Sequence, residues 1–498
     1  MEYNKQQLEA LVQIQQFIHS NKKIFFLKGY AGTGKTTIIK KICETNNNIK
    51  LLATTGRAAK IMSLKTGLEA TTVHKEIFSN FKLKKLKNNL FQIVASSETQ
   101  ISDNSIYIID EASMIGNICP NKEALNNKEI IFENEKLLEN IINIILINKN
   151  KIIFVGDPLQ LPPVLSEKNI TPALNKEYIQ QNFGVDSEEV TLTSIQRQNT
   201  NNGIIKNSLK IRDIIDNNIS PDKYKIEYSA EVIKTNFKDA IKSYLDNPDE
   251  TLIICRSNFK TLNYSNEIRK LLGYKNILEI DDTLLVIKNN SKYNLMNGEI
   301  FKIKNIYKDT FESKKIRINE EIIELKFIDV LVFHNFSNIR IKILINFLTD
   351  EKYPNNNQII QSALIELIKI KINRNPNSKD LLEDEYYNSL QVRYGYALTC
   401  HKAQGGEANS VFIENINIES ILDLKWLYTA ITRSQNKCFF IKDNVAEIIK
   451  SNNQKIENSN PVILNALINL KNNNSKPNIF LQKNLNYTFL AALINIKK

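Results

Sequence analysis

The chain reads as an α/β protein built on parallel sheets, and three observations predict this. Residues 25–29, 105–110 and 151–156 are short apolar runs, each closes on a glycine-rich or acidic turn, and stretches of helical periodicity separate them. Strands that alternate with helices make βαβ units and therefore parallel sheets. With 498 residues the chain exceeds what one core holds, so two to four domains are expected at about 150 residues each.

Residues 5–20 carry Leu8, Leu11, Val12, Ile14, Phe17 and Ile18 at helical spacing, an amphipathic helix expected to pack on the first sheet. Gln6 and Gln7 stand at its start. The run Phe25-Phe26-Leu27-Lys28-Gly29-Tyr30-Ala31-Gly32-Thr33-Gly34-Lys35-Thr36-Thr37-Ile38-Ile39 then supplies strand, glycine-rich turn and helix, the full context of a phosphate-binding P-loop. Its backbone from Gly29 through Ala31, Gly32, Thr33 and Gly34 to Thr37 would surround the phosphates, helped by the positive end of the helix dipole. Lys35 would reach the β- and γ-phosphates and Thr36 would ligand Mg²⁺, so ATP and Mg²⁺ are the expected cofactors.

Residues 49–60 repeat the pattern of strand, polar turn and helix, placing Thr54 and Thr55 at a strand's carboxyl end, where open α/β sheets bind ligands. A nucleic-acid phosphate would fit there. Thr71-Thr72-Val73-His74 offers a second such contact, weighed against the commoner structural role of a lone His. Residues 81–94 read as two short strands about Asn88-Asn89, either a basic hairpin that touches nucleic acid or a solvated surface element. Ser105-Ile106-Tyr107-Ile108-Ile109-Asp110-Glu111-Ala112-Ser113-Met114 is an apolar strand ending in adjacent carboxylates, with Asp110 suited to Mg²⁺ and Glu111 to activating the attacking water. A third strand runs into Gly156-Asp157-Pro158-Leu159-Gln160-Leu161-Pro162-Pro163, where Gln160 would orient the water or sense the γ-phosphate. Between these strands Leu137, Leu138, Ile141, Ile142 and Ile145 mark a helix.

Lys and Arg total 66 against 54 Asp and Glu, a net charge of +12 that favours a polyanionic partner. A compositional bias toward Asn, Ile and Lys yields the same excess, so both explanations stand. Cys43, Cys119, Cys255, Cys400 and Cys438 are scattered with no CxxC pair, which suggests neither a zinc site nor a disulfide framework. The first residues lack an apolar signal core and no run approaches the ~18 apolar residues of a membrane span. The expectation is a soluble, cytoplasmic protein with no membrane partner.

In order and spacing these motifs resemble those of superfamily 1 helicases, specifically the 5′→3′ branch that includes RecD-like enzymes and the phage Dda helicase. Residues 29–36 match motif I, 110–114 motif II, and 156–163 motif III in its Gln-Leu-Pro-Pro form. Gln7 falls on the Q-motif glutamine, which implies a contact to the adenine edge, and residues 53–60 resemble motif Ia with Thr54 where proline is usual. Leu192-Thr193-Ser194-Ile195-Gln196-Arg197-Gln198 looks like motif IV, whose arginine, here Arg197, touches the γ-phosphate; Gln196 stands where an aromatic is common. Residues 394–407 match motif V, which implies DNA contacts at Thr399 and His401 and a nucleotide contact at Glu407. Residues 427–434 match motif VI, with Arg433 at the arginine finger.

The resemblance implies two RecA-like P-loop lobes with parallel sheets, a small inserted hairpin (pin) domain and an inserted small β-barrel domain. By position, 1–75 and 101–210 form the first lobe, 76–100 the pin, 211–290 and 388–450 the second lobe, and 291–387 the barrel. Asn297-Gly298 gives a hairpin signal in the barrel, while residues 358–372 look helical. Residues 451–498 are an Asn-rich tail, either a partner-docking segment or padding of the lobe. The implied activity is ATP-dependent 5′→3′ movement on single-stranded DNA and opening of duplex junctions, in repair, replication or recombination. Two alternatives remain: a DNA-stimulated ATPase that translocates without separating strands, and a helicase subunit of a larger repair or nuclease complex.

Overall fold

The computed structural model describes residues 3–78, 81–85, 91–95, 101–117, 136–147, 149–163, 170–195, 202–290, 292–318, 321–334, 337–349 and 357–442. In chain order the first half gives β1 (Ile24–Gly29), β2 (Ile49–Ala53), β3 (Ala70–Thr72), β4 (Phe81–Lys85), β5 (Phe91–Ala95), β6 (Ile106–Asp110), β7 (Lys151–Gly156) and β8 (Ser187–Leu192). Six of these form one sheet in the order β3-β2-β6-β7-β1-β8, and every pairing in it is parallel. The strands are apolar on both faces because helices cover both, as parallel sheets require. Phe25, Leu27, Ile108 and Val155 join one core with the helices Lys5–His19, Lys35–Thr45 and Gly56–Thr66. Phe26, Ile109 and Phe154 face the other side, where Leu137, Leu138, Ile141, Ile142 and Ile145 of the helix Leu137–Ile145 cover them.

The first helix differs in detail from its sequence pattern. Ala10, Ile14 and Phe17 are buried, whereas Leu8 and Val12 are 51% and 56% exposed. The contact stripe is centred on the small Ala10, which lets the helix lie close to the sheet and leaves those two residues on its flank.

The second half gives β9 (Val232–Thr235), β10 (Thr251–Cys255), β11 (Thr283–Val286), β12 (Ile300–Ile318), β13 (Glu321–His334), β14 (Ser337–Leu344), β15 (Leu390–Tyr394), β16 (Leu398–Thr399), β17 (Ala408–Glu414) and β18 (Ser434–Ile441). A second parallel sheet runs β16-β10-β17-β18-β9. Strands β11 to β15 close into a barrel in which only β14 and β15 pair in parallel. The protein is thus two parallel-sheet lobes with a barrel inserted in the second and an antiparallel hairpin, β4 with β5, inserted in the first. The helix Asn357–Ile372 lays Ile360, Ala363 and Leu364 on a core shared by the barrel and the second lobe.

Asn297-Gly298 does not form the tight two-residue hairpin expected of it. The link from β11 to β12 spans residues 287–299, and Gly298 (φ 91°) lies at its far end, where its N–H donates to the Val286 carbonyl. A longer loop is selected because the segment makes contacts outside the barrel, described below.

The barrel is fastened to the second lobe at its neck. Arg269 grips Asp282 through Nε and Nη2, both at 2.9 Å, and the Tyr396 hydroxyl donates to the same carboxylate at 2.7 Å. Asp282 is fully buried. Among the described residues no helix is long and apolar enough to cross a membrane. Removing one partner of a buried ion pair strands the other charge, at a cost of about 3–5 kcal/mol. Arg269→Ala should therefore lower the unfolding free energy by that order in a urea titration, and adding Asp282→Asn should recover part of the loss.

Candidate nucleotide site between the lobes

The P-loop connects β1 to the helix Lys35–Thr45. Gly34 caps that helix at φ 85°, and a Cβ there would run into the Gln7 amide. Only glycine meets both conditions. Gln7 is buried and bonded through both ends of its amide: its Oε1 accepts from the Asn4 N–H at 3.0 Å and its Nε2 donates to the Thr33 carbonyl at 3.2 Å. The structure therefore places Gln7 as a brace behind the P-loop. Gln6 ties the same helix to the strand end after β8 by accepting from the Thr193 and Ser194 N–H groups. Lys35 lies folded over its own loop, its ammonium on the carbonyls of Gly29 (2.6 Å) and Tyr30 (3.1 Å).

Asp110 and Glu111 stand at the end of β6, beside β7 and its continuation into Asp157. Burial pushes the carboxyls of Asp110, Glu111 and Asp157 above the usual carboxylate range, and the Asp110 charge raises Glu111 further. Glu111 sits at φ 53°, with its N–H held by the Asp110 carboxylate at 2.8 Å. The Gln160 amide meets Glu111 Oε2 at 3.1 Å on one side and Arg433 Nη2 at 3.1 Å on the other, with its NH₂ toward the carboxylate and its oxygen toward the guanidinium. Gln404, also buried, lies 3.3 Å from the same amide. Arg433 is held by the carbonyls of Thr429 (3.1 Å) and Gly406 (3.4 Å). Glu111 and Gln160 from the first lobe thus meet Arg433 from the second. Thr36 and Thr37 open the P-loop helix, and Glu407 sits at the foot of β17 beside Gln435. Arg197 lies outside the described residues.

The residues expected to touch a nucleic-acid strand come from both lobes. Thr54 Oγ1 approaches the Glu111 carbonyl at 3.4 Å, Thr55 caps the helix Gly56–Thr66, and His74 stacks on Phe78. Thr399 ends β16, and His401 Nε2 lies 3.3 Å from the Pro162 carbonyl, with burial holding its imidazole below its ordinary pKa. The loop before β12 reaches both lobes: the Asn297 carbonyl accepts from the Gly56 N–H at 3.1 Å, and its side-chain oxygen accepts from Lys402 Nζ at 3.2 Å. Burial, with Arg393 nearby, pulls the Lys402 ammonium down to about 7.

Several participants escaped the sequence reading. Arg57 packs its guanidinium on Gly406, where any Cβ would collide with it, and its Nη1 is buried without a hydrogen-bond partner. Asp157 and Tyr428 were visible only as members of their motifs. No periodicity marks such groups, since their importance arises from contacts across the lobes.

Residues 13–166 match the AAA domain and residues 394–441 the UvrD-like helicase C-terminal domain. An uncharacterized protein of Acanthamoeba polyphaga mimivirus is 25% identical, over 88% of this chain and 99% of its own length. The RecBCD enzyme subunit RecD of Buchnera aphidicola is 27% identical, over 83% of this chain and 69% of its own. Among solved structures, the Pif1 helicase from Bacteroides in complex with ADP-AlF3 and ssDNA aligns with TM-score 0.45 and 16% identity, covering 92% of this chain and 98% of that one. The two lobes and the P-loop define a two-lobed P-loop nucleotide-binding protein. The matched segments and their order resemble those of superfamily 1 helicases, RecD-like members among them.

A carboxyl whose pKa is raised by folding binds its proton more tightly in the native state, so its contribution to stability is lost as pH climbs through the raised value. Glu111→Gln, which cannot ionise, should melt a few degrees above the wild type at pH 7.5. The gain should shrink toward pH 5, as followed by thermal unfolding across that range.

Proposed function

We propose that the protein is an ATP-dependent DNA helicase that moves 5′→3′ on single-stranded DNA and parts duplex junctions. The observation that carries this reading is the meeting of Glu111 and Gln160 from one lobe with Arg433 from the other, because such a site is complete only when the lobes are together. Helicase-family relatives support the ATP-dependent activity; the polarity rests on the RecD-like form of the motifs.

Thr36 with the buried carboxyl of Asp110 would hold Mg²⁺. When bound, Mg²⁺ neutralises charge on the β- and γ-oxygens. Lys35 leaves its loop carbonyls for the phosphates, Glu111 takes the proton of the attacking water, and Gln160 fixes that water's place. Arg433, with Arg197, offsets the charge that develops at the γ-phosphate. Gln7 holds the loop in shape through its bond to Thr33, and Glu407 borders the site. Cleft closure and reopening then alternate the grip of Thr54, Thr55 and His74 with that of Thr399 and His401 on a single strand.

Two partial duplexes, one with a 5′ tail and one with a 3′ tail, test this directly. ATP-driven opening of the 5′-tailed duplex alone, abolished by Lys35→Ala, is the expected result; opening of the 3′-tailed one refutes the polarity. DNA-stimulated ATP hydrolysis with neither duplex opened supports translocation without strand separation.

A second outcome follows from Lys402. A phosphodiester at motif V favours the charged ammonium, so the depressed pKa rises on binding and the complex takes up protons between about pH 7 and 10. Calorimetry of oligo-dT binding near pH 8, in buffers of different ionisation enthalpy, should report this uptake, and Lys402→Met should remove it.

A further inference from the structure

The Tyr428 hydroxyl joins three motifs across the lobe boundary. It belongs to the second-lobe helix Ile421–Ile431, donates to Asp157 Oδ2 at 2.8 Å and accepts from the Ala31 N–H of the P-loop at 3.1 Å. Tyr428 and Asp157 are 2% and 0% exposed, so water does not replace either bond. A phenol hydroxyl has one proton to give, and here Asp157 takes it. The Ala31 N–H likewise has one bond to give. It lies in the loop whose N–H groups would surround the phosphates, and it can turn to a phosphate oxygen only by leaving Tyr428.

We propose that Tyr428 is a positioning residue that competes with the terminal phosphate of the nucleotide for the Ala31 N–H, and so reports phosphate occupancy of the P-loop to the second lobe. This rests on the ATP-driven reading above. With the phosphate absent, the hydroxyl pins the motif VI helix to the P-loop. Arrival of the phosphate takes the N–H, leaves Tyr428 with Asp157 alone, and frees the helix to shift. Arg433, just past the end of that helix and tied to it through the Thr429 carbonyl, moves with it. Release of the phosphate restores the bond and returns Arg433 to its place beside Gln160.

Competition makes a specific signature in Tyr428→Phe. The KM for ATP should fall, since the N–H no longer has a rival, while DNA-stimulated kcat should drop about tenfold because Arg433 is no longer delivered on cue. Thr429→Val is the matched control: it removes a neighbouring buried hydroxyl that accepts from the Leu161 N–H at 2.9 Å and does not bond the P-loop. It should lower thermal stability without lowering KM. A rise or no change of KM in Tyr428→Phe, or the same split in Thr429→Val, overturns the proposal and leaves the helicase reading intact. A wild-type chain that hydrolyses no ATP, with or without DNA, overturns both. If Tyr428→Phe does not fold, hydrogen exchange on the wild type decides. Exchange over residues 29–36 and 421–433 should change together when a non-hydrolysable ATP analogue replaces ADP, and a change in one segment alone refutes the link.

Discussion

Everything in this molecule depends on docking the stretch after β7 onto one helix of the second lobe. Asp157 takes the Tyr428 hydroxyl, the Pro158 carbonyl takes the Lys425 ammonium at 3.2 Å, and the Leu161 N–H is met by Thr429. Leu159 and Leu161 sit within the apolar core of the second lobe. Polar bonds inside an apolar interface are strong where they form and costly where they fail. The contact is therefore suited to two well-defined arrangements, together or apart, and poorly suited to anything between. That property is what a machine stepping on ATP would need.

The carboxylates at the same boundary work against stability. Asp110, Glu111 and Asp157 are each forced toward protonation by burial, and two cations repel across the boundary, half-buried Arg57 of the first lobe and buried Arg433 of the second, the former depressed by desolvation and by the latter's charge. Charges of both signs held close but incompletely paired would suit a ligand that carries the missing partners. The barrel loop adds a third party. By accepting from Gly56 and from Lys402 it occupies donors in motif Ia and motif V at once, while the Arg269–Asp282 grip ties the barrel to the second lobe.

Much of this was legible beforehand. The P-loop, the acidic strand end and the third strand are local patterns: a strand must be apolar to cross a covered sheet, and a turn that approaches phosphates must shed its side chains. The helix Leu137–Ile145 and the helix Asn357–Ile372 were visible for the same reason, since burial of one face imposes a period. Leu8 and Val12 misled because periodicity shows that a stripe exists but not where its centre meets the sheet. Asn297-Gly298 misled because a turn preference is weak against a loop recruited to contact two other domains.

By itself the sequence determined the fold class, the order of the motifs and the chemistry available at each, because these follow from spacing along the chain and from the rule that sheets and helices bury their apolar faces. The tertiary structure alone decided which polar groups share a partner. That Gln7 braces Thr33, that Lys35 rests on its own loop, and that Tyr428 stands between Ala31 and Asp157 are outcomes of packing between residues as many as 397 positions apart. Hydrogen-bond pairing in a buried interface is settled by which donors the folded chain brings within reach and leaves without water, and no local pattern encodes that.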